Sequence, residues 1–405
     1  LPETDQKPHR HSLLHKIFKN FSQVACTKIG AKITLSTVVL LYLLAAYFSS
    51  WVQVGQSEAG SPLLYPDHDY NVSSQSINDL FPGSEELYII AHTDKKAGLK
   101  EPEVIKALAD FQNHMLLDPE MGGTKGLPDL VTQVNQIIHN TDPRWLAFPK
   151  DNFETGGLMF TYMMSSPIPG ALLEFLDPEE QNANMVFYYK DHKGETIRRA
   201  IQMVKDWSNS SIAQIEGFSL ELAGGVIGVT AAVNEAAYET NIVVIPLVFL
   251  LIFVFVTVFY WSIHAGWLMF VAMSFATTLT YAYMGIAGVG INVNTVPIIA
   301  VGIGVGIDYS IYIMDRIREE YITHKNLQKA IEIAISTTGV AIGFTALALI
   351  AGVVMWVFIS TMRFQADAAL LLIVMLVLNA LAAMFLVPAW IMTYKPKFIL
   401  NAVSK

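Results

Sequence analysis

The chain has 405 residues, 53% of them hydrophobic and only 15% charged, with a formal net charge of −9 and a mean hydropathy of +0.42. That balance excludes an ordinary soluble globule and fits a protein with several membrane spans. The acidic sum speaks against a nucleic-acid partner, and a single cysteine, Cys26, excludes an intramolecular disulfide.

In chain order, residues 1–32 read as a basic, helix-prone cytoplasmic leader carrying Lys7, Arg10, Lys16, Lys19, Lys28 and Lys32, with Cys26 as a cytosolic thiol. "ITLSTVVLLYLLAAYFSSW" (33–51) is apolar over the roughly 20 residues that a spanning helix needs, and is the first predicted transmembrane helix.

Residues 52–240 alternate β-rich runs with amphipathic helical patterns, and read as a mixed α/β domain. Strands are predicted at 86–93, 183–191 and 218–225, and helices at 101–117, 127–140 and 194–209. The repeated strand-helix-strand order predicts a ferredoxin-like split βαβ unit with an insertion. The helical run 230–240 is expected to continue into the second span.

Five closely spaced apolar stretches then fill 241–394: 241–261, 265–284, about 294–314, 336–358 and 370–391. A tail, 395–405, follows. Lys and Arg favour the cytoplasmic side of short connections. The leader, the 315–335 connection (Arg316, Arg318, Lys325, Lys329) and the tail (Lys395, Lys397, Lys405) all fall on one side. Both termini are therefore expected in the cytoplasm, with 52–240 outside.

The fourth stretch contains "GIGVGIDYSIYI", in which Asp308 sits among apolar residues. A charge there costs about 2.5–3.5 kcal/mol on insertion scales, so such acids face protein or a cavity and tend to mark ion or proton pathways. Gly302, Gly304 and Gly306 would let another helix approach closely. Tyr309 offers a hydroxyl to a neighbouring carboxylate. Two readings of Asp308 stand: a proton relay, or a structural acid fixing helix register through one hydrogen bond.

One span, a large exported α/β domain, then five spans with an acid in the fourth resembles one half of a resistance-nodulation-division (RND) transporter. "GIGVGIDYSIYI", "STTGVAIGFTALAL" (336–349, with Thr345 near the relay) and "FPGSEEL" (81–87) resemble the MMPL-type branch in particular. The resemblance implies a ferredoxin-like periplasmic porter domain inserted into an α-helical six-span protein of the bacterial inner membrane. It further implies that Asp308 and Tyr309 pair with a matching Asp-Tyr from a second half. That half would lie in the same polypeptide or in a second subunit. The basic leader and short tail look like those of a C-terminal half.

The function implied is proton-driven export of hydrophobic or lipid-like molecules, with no cofactor beyond the coupling proton and with periplasmic accessory proteins as possible partners. A sterol- or lipid-sensing protein without a proton cycle, and an accessory subunit of protein export, share the architecture. No enzyme is predicted, since neither a Ser-His-Asp set nor a GxxxxGKS phosphate loop can be assembled. His92, His114, His139 and His192 lack metal-ligand spacing. Asp177, Glu179 and Glu180 read as a solvated turn. The Met- and aromatic-rich runs 159–164, 172–176 and 185–189 are either core or an adaptable lining for an amphiphile. Residues 315–335 read as a helix on the cytoplasmic face or a connector.

Overall fold

A computed structural model describes residues 27–56 and 58–400. Cys26 and the rest of 1–26, and 401–405, lie outside the described residues. Two compact units are formed: Gly55–Glu235, and Leu1–Val54 together with Ala236–Lys405.

The helix α1 (Lys28–Ser49) opens the second of these units, capped by the Thr27 hydroxyl, which accepts from the Gly30 N–H at 3.0 Å. In the Gly55–Glu235 unit the order is α2 (Asp69–Leu80), β1 (Glu85–Thr93), α3 (Pro102–Met115), β2 (Met121–Lys125), α4 (Leu127–Ile138), α5 (Asn152–Ser165), β3 (Asn182–Tyr189), α6 (Gly194–Ser208) and β4 (Phe218–Gly224). The strands form one sheet in the order β2-β3-β1-β4, every neighbour antiparallel. This is the ferredoxin-like arrangement: β1 and β2 run parallel with β3 between them, and the insertion falls between β2 and β3.

Burial alternates along β1, which is what a sheet with one covered face requires. Leu87, Ile89 and Ala91 are fully buried. They belong to a core in which Phe111 of α3 sits edge-on to Phe187 of β3, 5.2 Å between centroids, and 4.9 Å from Trp207 of α6. Asp118, buried after α3, accepts from Arg199 of α6 at 2.8 and 2.9 Å, so this buried charge is paired.

The FPGSEEL motif is the turn into β1. Gly83 takes a positive φ of +122°, and a Cβ there would lie 2.2 Å from the Tyr189 carbonyl oxygen. Ser84 donates from its N–H and hydroxyl to Asn78 at 2.8 and 2.9 Å.

Three elements of this unit differ from the expectation. α2, β2 and α5 are additional. The run 159–164 falls on α5, where Met159 is buried but Phe160, Met163 and Met164 are exposed. It is neither wholly core nor an enclosed lining.

The other unit has six helices long and apolar enough to cross a membrane: α1, α7 (Gly225–Tyr260), α8 (Ile263–Ala287), α9 (Thr295–His324), α10 (Leu327–Ile359) and α11 (Arg363–Tyr394). The 230–240 run is part of the single helix α7. In α8, α9 and α11 the apolar stretch is 56%, 50% and 56% buried, against 11% in α1, α7 and α10, so the first three form the packed centre.

Polar side chains join neighbouring helices, as expected where apolar surroundings give no drive between them. The Tyr42 and Ser274 hydroxyls of α1 and α8 are 3.0 Å apart, and Tyr281 of α8 donates to Asn241 of α7 at 2.9 Å. π-helical turns interrupt α10 at Ile335–Gly339 and α11 at Ala382–Leu386.

The 315–335 segment is not one helix. α9 continues to His324, Lys325 turns into the left-handed region at φ 52°, and Asn326 caps the start of α10 by accepting the Lys329 N–H at 3.2 Å. Ala330, Ile331 and Ala334 are buried, with α10's first turns packed on α9. The segment is a packed connector.

Candidate functional site

The site is built on α9. Its start is fixed by Asn292, whose side chain accepts the N–H groups of Asn294 and Thr295 at 2.9 and 3.1 Å. Its far end is charged: Arg316 pairs with Glu319 at 3.2 Å and Glu320 at 2.6 Å, His324 lies 3.2 Å from Glu320, and the Arg318 guanidinium sits 5.8 Å from the Tyr260 ring centre. Between these ends lies the glycine-rich approach to Asp308.

The three glycines divide by face. Gly302 and Gly306, one turn apart, are buried and meet α11: an added Cβ would lie 2.3 Å from the Met375 sulfur at the first and 2.1 Å from Asn379 Cγ at the second. Met375 and Asn379 are also one turn apart, so two large side chains of α11 fill two gaps in α9. Gly304 faces elsewhere. A Cβ there would have nothing within 4 Å, and it lies on the open face.

Asp308 lies one turn after Gly304 on that face and is exposed, with Val301 and Tyr312 57% and 56% exposed in the same stripe. Among the described residues no hydrogen bond or ion pair reaches its carboxylate.

Tyr309 points the other way. It is buried, and its hydroxyl has no hydrogen-bond partner of good geometry. Thr345 of α10 is a polar neighbour of that hydroxyl, but donates its own proton to the Ile342 carbonyl at 2.9 Å. The structure thus brings Tyr309 beside Thr345, and Gly302 and Gly306 against α11. It leaves Gly304 and Asp308 on an uncovered face.

Sequence reading missed Asn379. It is buried, and its Nδ2 donates to the Gly302 carbonyl at 3.1 Å. The available signal was an amide alone in the apolar run "LVLNAL", since a polar side chain inside a span is glue or function.

Most of the other polar groups singled out in the sequence are occupied locally, although His114 Nε2 is buried with no hydrogen-bond partner among the described residues. His92 is 2.7 Å from Asn182, His139 stacks on Trp145 at 3.5 Å, and His192 lies 3.1 Å from Glu85. Asp177 accepts the N–H groups of Gln181 and Asn182 at 2.8 and 2.9 Å, while Glu180 pairs with Lys100 at 2.6 Å.

The family model of the MMPL family matches residues 166–401. No curated protein matches the chain. Among solved structures, the hedgehog release protein Disp from the water bear Hypsibius dujardini is similar in fold, with a TM-score of 0.62 at 9% sequence identity over 99% of this chain and 51% of that one. The chain therefore spans about half the length of that protein. With more than half of its residues covered by the family model, the chain belongs to the MMPL family, a branch of the RND membrane transporters.

Proposed function

We propose that this protein exports hydrophobic or lipid-like molecules and is driven by protons that Asp308 takes up and gives off. The observation that carries the reading is the placement of one carboxylate in an apolar spanning helix, on an uncovered face, with no partner among the described residues. An acid placed for helix register would make the hydrogen bond that fixes it, and this one makes none.

A bare carboxylate at that depth is costly, so its face calls for a cover. The proposed cover is a second RND half, from the same polypeptide or another subunit, bringing a polar group to Asp308. Protonation would remove the charge, release that pairing and let α9 move; deprotonation on the other side would restore it. Each charge crossing the full potential supplies roughly 2.3 kcal/mol per 100 mV, enough to bias such a cycle.

In this reading the Gly55–Glu235 unit lies on the periplasmic side of a bacterial inner membrane, both termini are cytoplasmic, and α7 carries movement from the spans to the unit it leaves. Asp308→Asn keeps the shape and removes the titration. In vesicles under an imposed pH gradient, it is expected to abolish gradient-driven movement of a fluorescent fatty acid while the protein remains folded. Undiminished movement would refute the role.

A further inference from the structure

The outer face of α9 carries the proposed relay, but its inner face holds a contact that the relay does not explain. The Asn379 amide is buried, lies against Gly306 and donates to the Gly302 carbonyl at 3.1 Å. Helical carbonyls already accept one bond along their own helix, so this second bond is not needed to satisfy Gly302. What it fixes is position along the axis.

The surroundings give such a bond a role. Gly302, Gly306 and Ser310 follow at intervals of four and are all buried, forming a strip of small residues down the inner face of α9. Small residues let helices approach closely, and here the gaps at Gly302 and Gly306 seat Met375 and Asn379, so the register of α9 against α11 is set at this level. The π-turn of α10 (Ile335–Gly339) and that of α11 (Ala382–Leu386) each pack against α9, and the second begins three residues after Asn379. π-turns carry an extra residue per turn and recur at functional sites. To the seats that Met375 and Asn379 take in the strip, the Asn379 bond adds a directional polar tie, a latch.

We propose that Asn379 is the positioning residue of the relay: its bond to Gly302 holds α9 in one register against α11, so that Asp308 is open to one side of the membrane at a time. The inference rests on the proton-relay reading above, and it predicts a specific failure. Without the latch, α9 samples more than one register whatever the load, and protons cross through Asp308 without substrate.

The test uses the full chain in liposomes with an entrapped pH-sensitive dye, an imposed pH step and no substrate. Asn379→Leu keeps the branched outline and removes the bond; proton entry is expected to rise tenfold or more over wild type. Asp308→Asn/Asn379→Leu is expected to return entry to the wild-type level. Packing is separated from bonding by Gly306→Ala/Asn379→Ala, which relieves the 2.1 Å clash of a Cβ at Gly306 but cannot restore the bond, so it should leak as well.

Thermal melting of each variant reports folding, and the small-residue pair stands in if Asn379→Leu does not fold. A tight Asn379→Leu, a tight Gly306→Ala/Asn379→Ala pair, or a leak that persists without Asp308 overturns the latch. The relay reading fails by a different result: Asp308→Asn leaving gradient-driven movement of the fatty acid intact.

Discussion

Asp308 and Tyr309 are adjacent in sequence and opposite in environment. Successive helical residues are turned by about 100°, so one can be exposed while the next is 4% exposed. The sequence marked both residues without telling them apart, because an acid in an apolar run is conspicuous whichever way it points. It also could not reveal that Gly304 shares the face of Asp308 while Gly302 and Gly306 do not; that follows from which side α11 occupies. Outside the spans, Asp177 offers a check on local electrostatics. Burial alone would raise its pKa, but the Asn182 N–H and amide and the Gln181 N–H outweigh it and hold the carboxyl below its usual value. The folded state therefore binds that proton less readily than the unfolded chain. Its stabilisation is full above about pH 4 and is lost as the pH falls through the depressed folded value. Asp177→Asn should reduce the acid sensitivity of unfolding and cost about 1 kcal/mol at neutral pH. Denaturant titrations of both proteins from pH 7 down to pH 3 would show it; parallel pH profiles would exclude it.

At the scale of elements, the strands with strong alternation and the strongly amphipathic helices were legible. β1, β3, β4, α3, α4 and α6 are where hydrophobic period and turn residues agree. β2 was not, because "MGGTK" has two glycines and no β-branched pattern until its fourth residue. Its glycine has a tertiary reason: a Cβ at Gly122 would lie 1.9 Å from the Pro82 carbonyl oxygen, so the FPG turn can pass only over a bare backbone. Gly122→Ala should push these segments apart and destabilise the unit by about 1–3 kcal/mol, the usual range for forcing extra atoms into a packed site. A thermal melt that matched wild type would show that the turn has room to give. The π-turns were equally hidden, since nothing in composition distinguishes one extra residue per turn from ordinary helix. The 315–335 connector broke at Lys325 for a local reason, a left-handed residue followed by an asparagine cap.

Over the whole molecule, the one-plus-five arrangement of spans was readable because length and apolarity alone decide which segments can cross a membrane. The ferredoxin-like inserted unit was readable because strand and helix periods differ. What covers the open stripe of Val301, Gly304, Asp308 and Tyr312 could not be read, since exposure of a stripe does not name what meets it. The central claim is that Asp308 binds and releases a hydrogen ion. The most direct measurement is infrared difference spectroscopy of the full-length protein in lipid across a pH series, comparing wild type with Asp308→Asn. A carboxylic-acid carbonyl band that grows on acidification in wild type and is missing from the variant is the expected result. Spectra in which the two proteins respond identically, with position 308 a carboxylate throughout, would contradict the relay.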